Sequence, residues 1–376
     1  TPVRYNKDMN KAIKYRIYPT TEQEILFVKT FGCCRKIYNL MLADKIKSYE
    51  ESNSFGKQTP AMYKKEYPFL KEVDSLALAN VQLNLQGAIN SCFDQKRKRR
   101  NGFPRFKSAK HNRKSYTTNN QNGTVAIIDD KYIRLPKIGR VKAVIHRKPE
   151  DEWKVKSATV SQDSDGKYYV SMLFEYDRII TVVPTGEKVI GLDYKSDGLY
   201  MDSNGYCPSG HKYYRESQEK LADAQRKLRH KIIGSNNYKK QQKKIAKIQK
   251  HTSNQRLDYL HKESTKIANL YDVVCVETLD MKAMSNKGFG NGKATLDNGY
   301  GMFLNMLEYK LADRGKQFIK VDKWYPSTQL CSCCGKQKKL TLADRIYKCE
   351  CGQTIDRDQN AAINIKKEGI RILKSA

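Results

Sequence analysis

Apolar residues along this chain follow two kinds of pattern, and the change from one to the other divides it. From Ala12 to Tyr18 they alternate, with Ile13, Tyr15 and Ile17 on one face and Lys14 and Arg16 on the other. That is a half-buried strand with a basic outer face, ended by Pro19. Thr21-Glu22-Gln23-Glu24 reads as a capping box that opens a helix with Ile25, Leu26 and Val28 inward. A second helix is expected from about Cys34 to Tyr49, burying Ile37, Tyr38 and Met41. Ser52 to Pro68, polar with two prolines, reads as a loop or broken helix. Ser75 can cap a helix to about Lys98, with Leu76, Ala79, Leu83, Gly87 and Asn90 along one side. From Thr124 to Tyr176 the pattern is one of strands. Residues 125–128 and 132–135 flank Asp129-Asp130, 141–145 alternates, and 153–160 and 167–174 flank Asp165-Gly166. With the Ile13 strand these predict a small, basic, mostly antiparallel β-barrel into which the helices are inserted.

After Pro184-Thr185-Gly186 the apolar runs become short and end in acids. Val189-Ile190-Gly191-Leu192 leads into Asp193, and Val273-Val274-Cys275-Val276 leads into Glu277. Each reads as a buried strand whose last residue emerges at a sheet edge. Leu199 to Met201 would return beside the first strand after a turn at Asp197-Gly198, which is how an RNase H-like sheet begins. Residues 216–270 read as two long helices broken at Gly234, the first marked by Leu221, Ala224, Leu228 and Ile232. Ile245, Ile248, Leu260 and Ile267 help mark the second. Residues 281–298 are rich in Gly and Asn and predict a mobile stretch. A helix over 301–314, a strand over 317–321 and a final helix through Ala361, Ala362 and Ile365, started or capped by Asp358, complete an α+β multidomain chain.

Charge changes the picture most. Against 40 acidic residues stand 71 Lys+Arg, a formal net charge of +31 in 376 residues. Solubility needs far less, and a polyanion is the natural partner, with nucleic acid the commonest. A ribosomal, cationic-surface or membrane-surface protein is the plainer alternative. The outer faces of the helices over 216–270 carry Arg226, Lys227, Arg229, Lys239, Lys240, Lys243, Lys244 and Lys247, too one-signed for an ordinary solvated pair. Lys96 to Arg100, followed by Phe103-Pro104-Arg105-Phe106-Lys107, mixes basic residues with aromatics suited to phosphates and bases. No 18-residue apolar run is present, and the first residues have no apolar signal core. The expectation is a cytoplasmic, nucleoid-associated prokaryotic protein with no membrane partner.

Three acids and four cysteines carry candidate chemistry. Phosphodiester hydrolysis needs an activated water and neutralisation of developing charge, which two Mg²⁺ ions roughly 4 Å apart supply. Such hard ions, for which Mn²⁺ can substitute, want oxygen ligands. Asp193 would bridge both, with Glu277 and Asp358 holding one each, and Asp356 competing for the third place. The six histidines share no spacing that suggests histidine catalysis. Of ten cysteines, Cys331, Cys334, Cys349 and Cys351 form two knuckles expected to hold one structural Zn²⁺. Cys333 is the spare, and the second knuckle is C-x-C rather than C-x-x-C. Adjacent Cys33 and Cys34 read as core residues.

Several of these segments together resemble the TnpB family of transposon-encoded RNA-guided DNA endonucleases, regarded as ancestral to type V CRISPR effectors. They are residues 14–20 (Lys14 to Thr20), Phe31-Gly32-Cys33-Cys34-Arg35, 103–107, Gly234-Ser235-Asn236-Asn237, Tyr271-Asp272-Val273-Val274, 322–327 and, with the cysteine knuckles, Asp356 to Ala362. The resemblance implies a wedge β-barrel (1–18 and 110–183), a helical recognition domain (19–109), a RuvC-like nuclease domain (184–326 and 354–376) and an inserted zinc ribbon (327–353). It implies catalytic acids at Asp193, Glu277 and Asp358. It also implies a guide RNA from the transposon right end, double-stranded DNA with a short flanking motif as target, and a monomer in the complex. Lys195 stands where the family commonly has glycine. The alternatives are a nuclease-inactive RNA-guided repressor, a true transposase and an unguided structure-selective nuclease.

Overall fold

Strand β1 (Arg4–Tyr18) buries Ile13, Tyr15 and Ile17 as the alternation requires. The computed structural model containing it describes residues 4–94, 102–110, 113–181, 188–284, 292, 297–341 and 344–375. Helix α1 (Thr21–Ser52) follows and is one helix, not two. Phe27, Phe31, Cys34, Tyr38 and Met41 form a buried stripe at alternating four- and three-residue steps that runs through Gly32. Packing along that stripe outweighs the cost of about 1 kcal/mol that a mid-helix glycine carries. Ile25 and Val28 lie off the stripe and are each 53% exposed, contrary to the expected inward face. The cap is one residue earlier than expected: the Thr20 hydroxyl accepts from Gln23 N–H at 3.3 Å, and the Gln23 side chain accepts from Thr20 N–H at 3.1 Å.

Residues 53–74 hold two short 3₁₀ turns, Pro60–Lys64 and Pro68–Lys71. Helix α2 (Ser75–Phe93) is capped by Asp74, not Ser75, through a 3.1 Å bond from Leu76 N–H. It buries Ala77, Leu78, Leu85 and Ile89, whereas Leu83 faces solvent. The expected extension to Lys98 and the basic run Lys96 to Arg100 lie outside the described residues. Strands β2 (Ser115–Asn119), β3 (Ala126–Ile128), β4 (Tyr132–Leu135), β5 (Gly139–Val144), β6 (Lys154–Gln162) and β7 (Tyr168–Thr181) join β1 in one sheet. Its order is β2-β6-β7-β1-β5-β4-β3. Asp129 and Asp130 both take positive φ, a turn that matches the twist of the hairpin they close. Asp8–Arg178 form one compact unit around this sheet and the two helices.

That sheet is not the closed barrel expected. Its hydrogen-bonded order leaves β2 and β3 as edges. In the loop between them, polar groups satisfy one another or β6: Asn120 N–H donates to Lys156 O, Thr124 N–H to Gln121 O and Val125 N–H to Asn120 Oδ1. With β3 only three residues long, little ladder is left to close the ring.

The second unit is built on Ile179–Ala376. Strand β8 (Val189–Tyr194) pairs antiparallel with β9 (Tyr200–Asp202) and parallel with β10 (Val273–Glu277), which pairs parallel with β11 (Gln317–Val321). Helix α3 (Tyr213–Arg229) precedes α4 (Asn236–Leu270), capped by Ser235. Ile232 falls past the end of α3 and is exposed, not buried as expected. A short turn, α5 (Met281–Met284), and helix α6 (Tyr300–Ala312) come before β11. Most of the Gly- and Asn-rich stretch falls outside the described residues, but its last two, Asp297 and Asn298, are buried. Strands β12 (Ile346–Lys348) and β13 (Thr354–Asp356) pair before the last helix, α7 (Arg357–Ser375).

The unbroken apolar runs are explained by helices on both faces of this sheet. Val274, Val276, Ile190 and Leu192 share a cluster with Leu260 and Ile267 of α4 and Phe303 and Leu307 of α6. Val273, Cys275 and Val321 share another with Ile365 of α7. Contact with α7 is close enough to need glycine on each side. A Cβ on Gly191 would overlap Ala362 O and lie 2.7 Å from Lys366 N, and one on Gly369 would overlap the Cys275 sulfur. Gly191→Ala is therefore expected to destabilise this unit by about 3 kcal/mol, read as a lower urea midpoint. An unchanged midpoint would contradict this packing.

Candidate active site

Side chains alternate along a strand, so Gly191 and Asp193 lie on one face of β8, and Cys275 and Glu277 on one face of β10. Gly191 and Cys275 both lie against α7, which puts the two acids on the α7 side of the sheet. Leu192 is in register with Val276, so the acids emerge at neighbouring strand ends. Helix α7 runs so that Ala362 meets Gly191 and Gly369 meets Cys275, and its first turn brings Asp358 to the same edge. The three sequence-predicted acids thus converge. Strand ends of parallel sheets are where ligands of such folds are held.

Asp193 is 5% exposed. Burial holds its carboxyl well above the usual carboxylate range, and the charges of Glu277 and Asp358 add to this while Arg357 opposes it. Burial likewise raises Glu277, opposed by a 3.2 Å hydrogen bond from Tyr194 N–H to its Oε1. Among the described residues, Asp358 is the acid of the three that forms ion pairs. Arg357 Nε and Nη2 donate to its Oδ1 at 3.2 and 3.1 Å, and the Lys195 ammonium lies 3.5 Å from its Oδ2. Burial favours the neutral amine of Lys195, but Asp358 and the neighbouring acids more than compensate and raise its pKa. The residue at the expected glycine position is thus a cation against the third acid.

Asp356 has a different task. Its exposed carboxylate accepts from the N–H groups of Asp358 at 2.8 Å and Gln359 at 3.1 Å, so it, and not Asp358, caps α7. Asp358 is left free to face the other acids.

Sequence reasoning missed several supports. The Tyr300 hydroxyl is buried without a hydrogen-bond partner among the described residues, and its ring lies 4.9 Å from that of Tyr194. Burial and the nearby charges of Glu277 and Asp193 hold its phenol well above the usual range. Asn298 donates to Lys195 O at 2.9 Å and to Gly198 O, holding the loop that carries Lys195. Asp297 accepts from the N–H groups of Tyr214 and Arg215 at the start of α3 and pairs with Arg256 at 3.1 Å. These two lie in a Gly- and Asn-rich stretch without periodicity, so no pattern marks them. Asn360 and Asn364, four apart beside Ala361 and Ala362, carry a signal that was available: polar residues on the buried face of a helix. Both donate to Leu330 O at 2.7 Å, and Asn360 accepts from Ser332 N–H at 2.9 Å.

Those asparagines tie α7 to the cysteine cluster. The sulfurs of Cys331, Cys334, Cys349 and Cys351 all lie within 4.8 Å of one another. Cys331 and Cys351 are 3.7 Å apart, Cys334 and Cys349 3.6 Å. A tetrahedron of thiolates about 2.3 Å from a zinc ion has edges of about 3.8 Å, so this set fits a metal such as zinc. Burial opposes ionisation of Cys331, but the N–H groups of Cys334 and Cys333 and the neighbouring thiols bring it down to about 6. Cys333 is exposed and is not part of that cluster. Cys33 and Cys34 are buried core residues.

The basic features described are on the surface. Lys227, Arg229, Lys239, Lys240, Lys243, Lys244 and Lys247 of the α3–α4 region are exposed. In the other unit, Arg35, Asn80, Asn84, Lys107 and Arg113 line a cleft of about 190 Å³. There the Lys107 ammonium sits 3.8 Å from the Tyr38 ring centroid.

Comparisons with known proteins agree with this organisation. A family model described as "Probable transposase" matches residues 169–288, one described as "Helix-turn-helix domain" residues 9–54, and one described as "Cas12f1-like, TNB domain" residues 300–365. A Streptomyces pristinaespiralis protein named "Putative RNA-guided DNA endonuclease" is 33% identical over 97% of this chain and 90% of its own length. The Escherichia coli K12 protein "Putative RNA-guided DNA endonuclease InsQ" is 30% identical over 96% of this chain and 93% of its own. "TnpB-like protein L79" of Acanthamoeba polyphaga mimivirus is 32% identical over 37% of this chain and 28% of its own. The fold is similar to that in the "Cryo-EM structure of the Cas12f1-sgRNA-target DNA complex", with a TM-score of 0.61 over 96% of this chain and 99% of that one at 12% identity. Identity at this level along nearly the whole chain, with the acid edge and cysteine knuckles in place, shows that it belongs to the TnpB family.

Proposed function

We propose that this chain is an RNA-guided DNA endonuclease whose nuclease centre is the acid cluster Asp193, Glu277 and Asp358. The observation that carries the reading is the convergence of these carboxylates at one sheet edge in a chain whose full-length relatives are named for that activity. In this reading the 179–376 unit is an RNase H-like, RuvC-type nuclease domain with an inserted zinc ribbon. Residues 8–178 are the wedge and recognition parts. The partners are a guide RNA from the transposon right end and double-stranded DNA beside a short flanking motif. Base pairing reads sequence while the protein reads backbone and motif. The net charge of +31 suits both polyanions.

The donor set fits divalent Mg²⁺ or Mn²⁺: hard oxygens only, in a place where burial raises Asp193 and Glu277 and the charges of Glu277 and Asp358 raise Asp193 further. When bound, two such ions supply the activated water and neutralise charge developing on the scissile phosphate. The chain's own groups orient the acids. Tyr194 N–H fixes one oxygen of Glu277, and Arg357 fixes one oxygen of Asp358. Asn298 holds the loop that sets Lys195 against Asp358. The convergence of a buried Asp193 with half-buried Glu277 and Asp358 supports a nuclease over a nuclease-inactive binder.

The direct test is a plasmid library with a guide-matched target beside randomised flanks, incubated with Mg²⁺ and protein co-expressed with its transposon-end RNA. Cutting is expected only of matched targets with one flank class, and Asp193→Ala should lower the rate more than about a hundredfold. RNA-dependent binding without cutting would replace the nuclease reading by the repressor one, and cutting without RNA would remove the guide.

We propose one structural zinc in the cysteine cluster. Metal analysis should find about one zinc per chain, unchanged in Cys333→Ser and lost in Cys349→Ser. Full zinc content in Cys349→Ser would contradict the assigned ligands.

A further inference from the structure

The chain has two tryptophans. Trp153 is stacked on Tyr176 with ring centroids 4.1 Å apart. Trp324 is 81% exposed. Large side chains are left exposed elsewhere too, but Trp324 stands in a turn that is built without its indole. Its N–H donates to Asp322 Oδ1 at 2.8 Å, Tyr325 N–H donates to Asp322 O at 3.2 Å, and the Tyr325 hydroxyl donates to Asn364 O of α7 at 3.4 Å. Thr278, just after Glu277, donates from its hydroxyl to Val321 O at 2.7 Å. The turn is held from several sides, and the ring contributes little to holding it.

Its position gives the ring a use. Val321, the last residue of β11, is in register with Glu277, and Trp324 follows three residues later at the same sheet edge. Chain geometry limits it to within about 11 Å of Val321, and neighbouring strands are about 4.8 Å apart. A strand with its phosphate at the acids would thus lie within a few nucleotides of the turn that carries Trp324. The Lys323 ammonium lies 4.9 Å from the ring centroid, a cation beside the stacking surface. An aromatic face with an adjacent cation is what sequence-tolerant binding of unpaired bases requires.

We infer that Trp324 is a stacking platform for an unpaired base of the DNA strand delivered to the acid cluster. The inference rests on the reading of that cluster as a DNA-cutting centre. Stacking and cleavage are read separately, so failure of one is told from failure of the other.

The test uses the full chain carrying Trp153→Phe, which leaves Trp324 as the only indole, in Ca²⁺ buffer. It is titrated with a single-stranded DNA oligonucleotide, its duplex and the RNA of the same sequence. Binding is followed by anisotropy of a dye on the nucleic acid. Single-stranded DNA should quench the emission of Trp324 as it binds. Trp324→Ala should weaken single-stranded DNA binding about tenfold, with Trp324→Phe within about threefold of the parent and duplex affinity unchanged in both. Unchanged emission while anisotropy shows single-stranded DNA bound, absence of single-stranded binding, or equal quenching by duplex would overturn the inference. Quenching by RNA alone would assign the platform to the guide and overturn it as stated. Guided plasmid cleavage by the Trp153→Phe chain reports on the nuclease reading independently.

Discussion

Repulsion among buried carboxylates is the constraint on which the second unit turns. Asp193, Glu277 and Asp358 are brought to one edge with little water to screen them, and burial raises the first two. A fold tolerates this only if other interactions hold the edge together. Here the fixed points are backbone: an N–H on Glu277, a helix capped by Asp356, and a loop clamped by Asn298. The cations beside the cluster, Arg357 and Lys195, both pair with Asp358, and Arg357 also opposes the rise at Asp193 without cancelling it. A ligand with positive charge and no hydrogen atoms to place is what the remaining imbalance favours.

Close approach of α7 to the sheet provides that edge. Gly191 and Gly369 remove the two side chains that would hold helix and strands apart, and Ala361 and Ala362 keep the helix face small. The same helix carries Asn360 and Asn364 into the backbone of the first cysteine knuckle. One helix thus joins the sheet, the third acid and the cysteine cluster.

Much of this was legible in the residues, and the failures have physical reasons. The runs 189–193 and 273–277 were readable because a strand covered by helices on both faces is apolar throughout until it leaves the sheet. That Cys331, Cys334, Cys349 and Cys351 come together was readable from their spacing. The second helix expected from about Cys34 is a continuation of the first because tertiary packing of the Phe27 to Met41 stripe decides that segment. Barrel closure depends on which polar groups the β2–β3 loop satisfies, and no periodicity records that. Asp356 and Asp358 both suit a helix start; which one caps and which faces the acids follows only from the direction of the Asp358 and Gln359 amides. Asn298 supports the site from a segment whose composition suggested only a loop, and Tyr300 stands one residue before the expected helix.

The central claim, that three specific acids form one cation-binding centre, is tested most directly by Mn²⁺ binding to the guide-free protein. Electron paramagnetic resonance of free Mn²⁺ would follow the titration, with zinc left in place. The parent chain should bind Mn²⁺, with affinity falling at least about tenfold in each of Asp193→Asn, Glu277→Gln and Asp358→Asn and staying near the parent in Asp356→Asn. Full affinity in any of the first three, or equal loss in Asp356→Asn and Asp358→Asn, would contradict that claim.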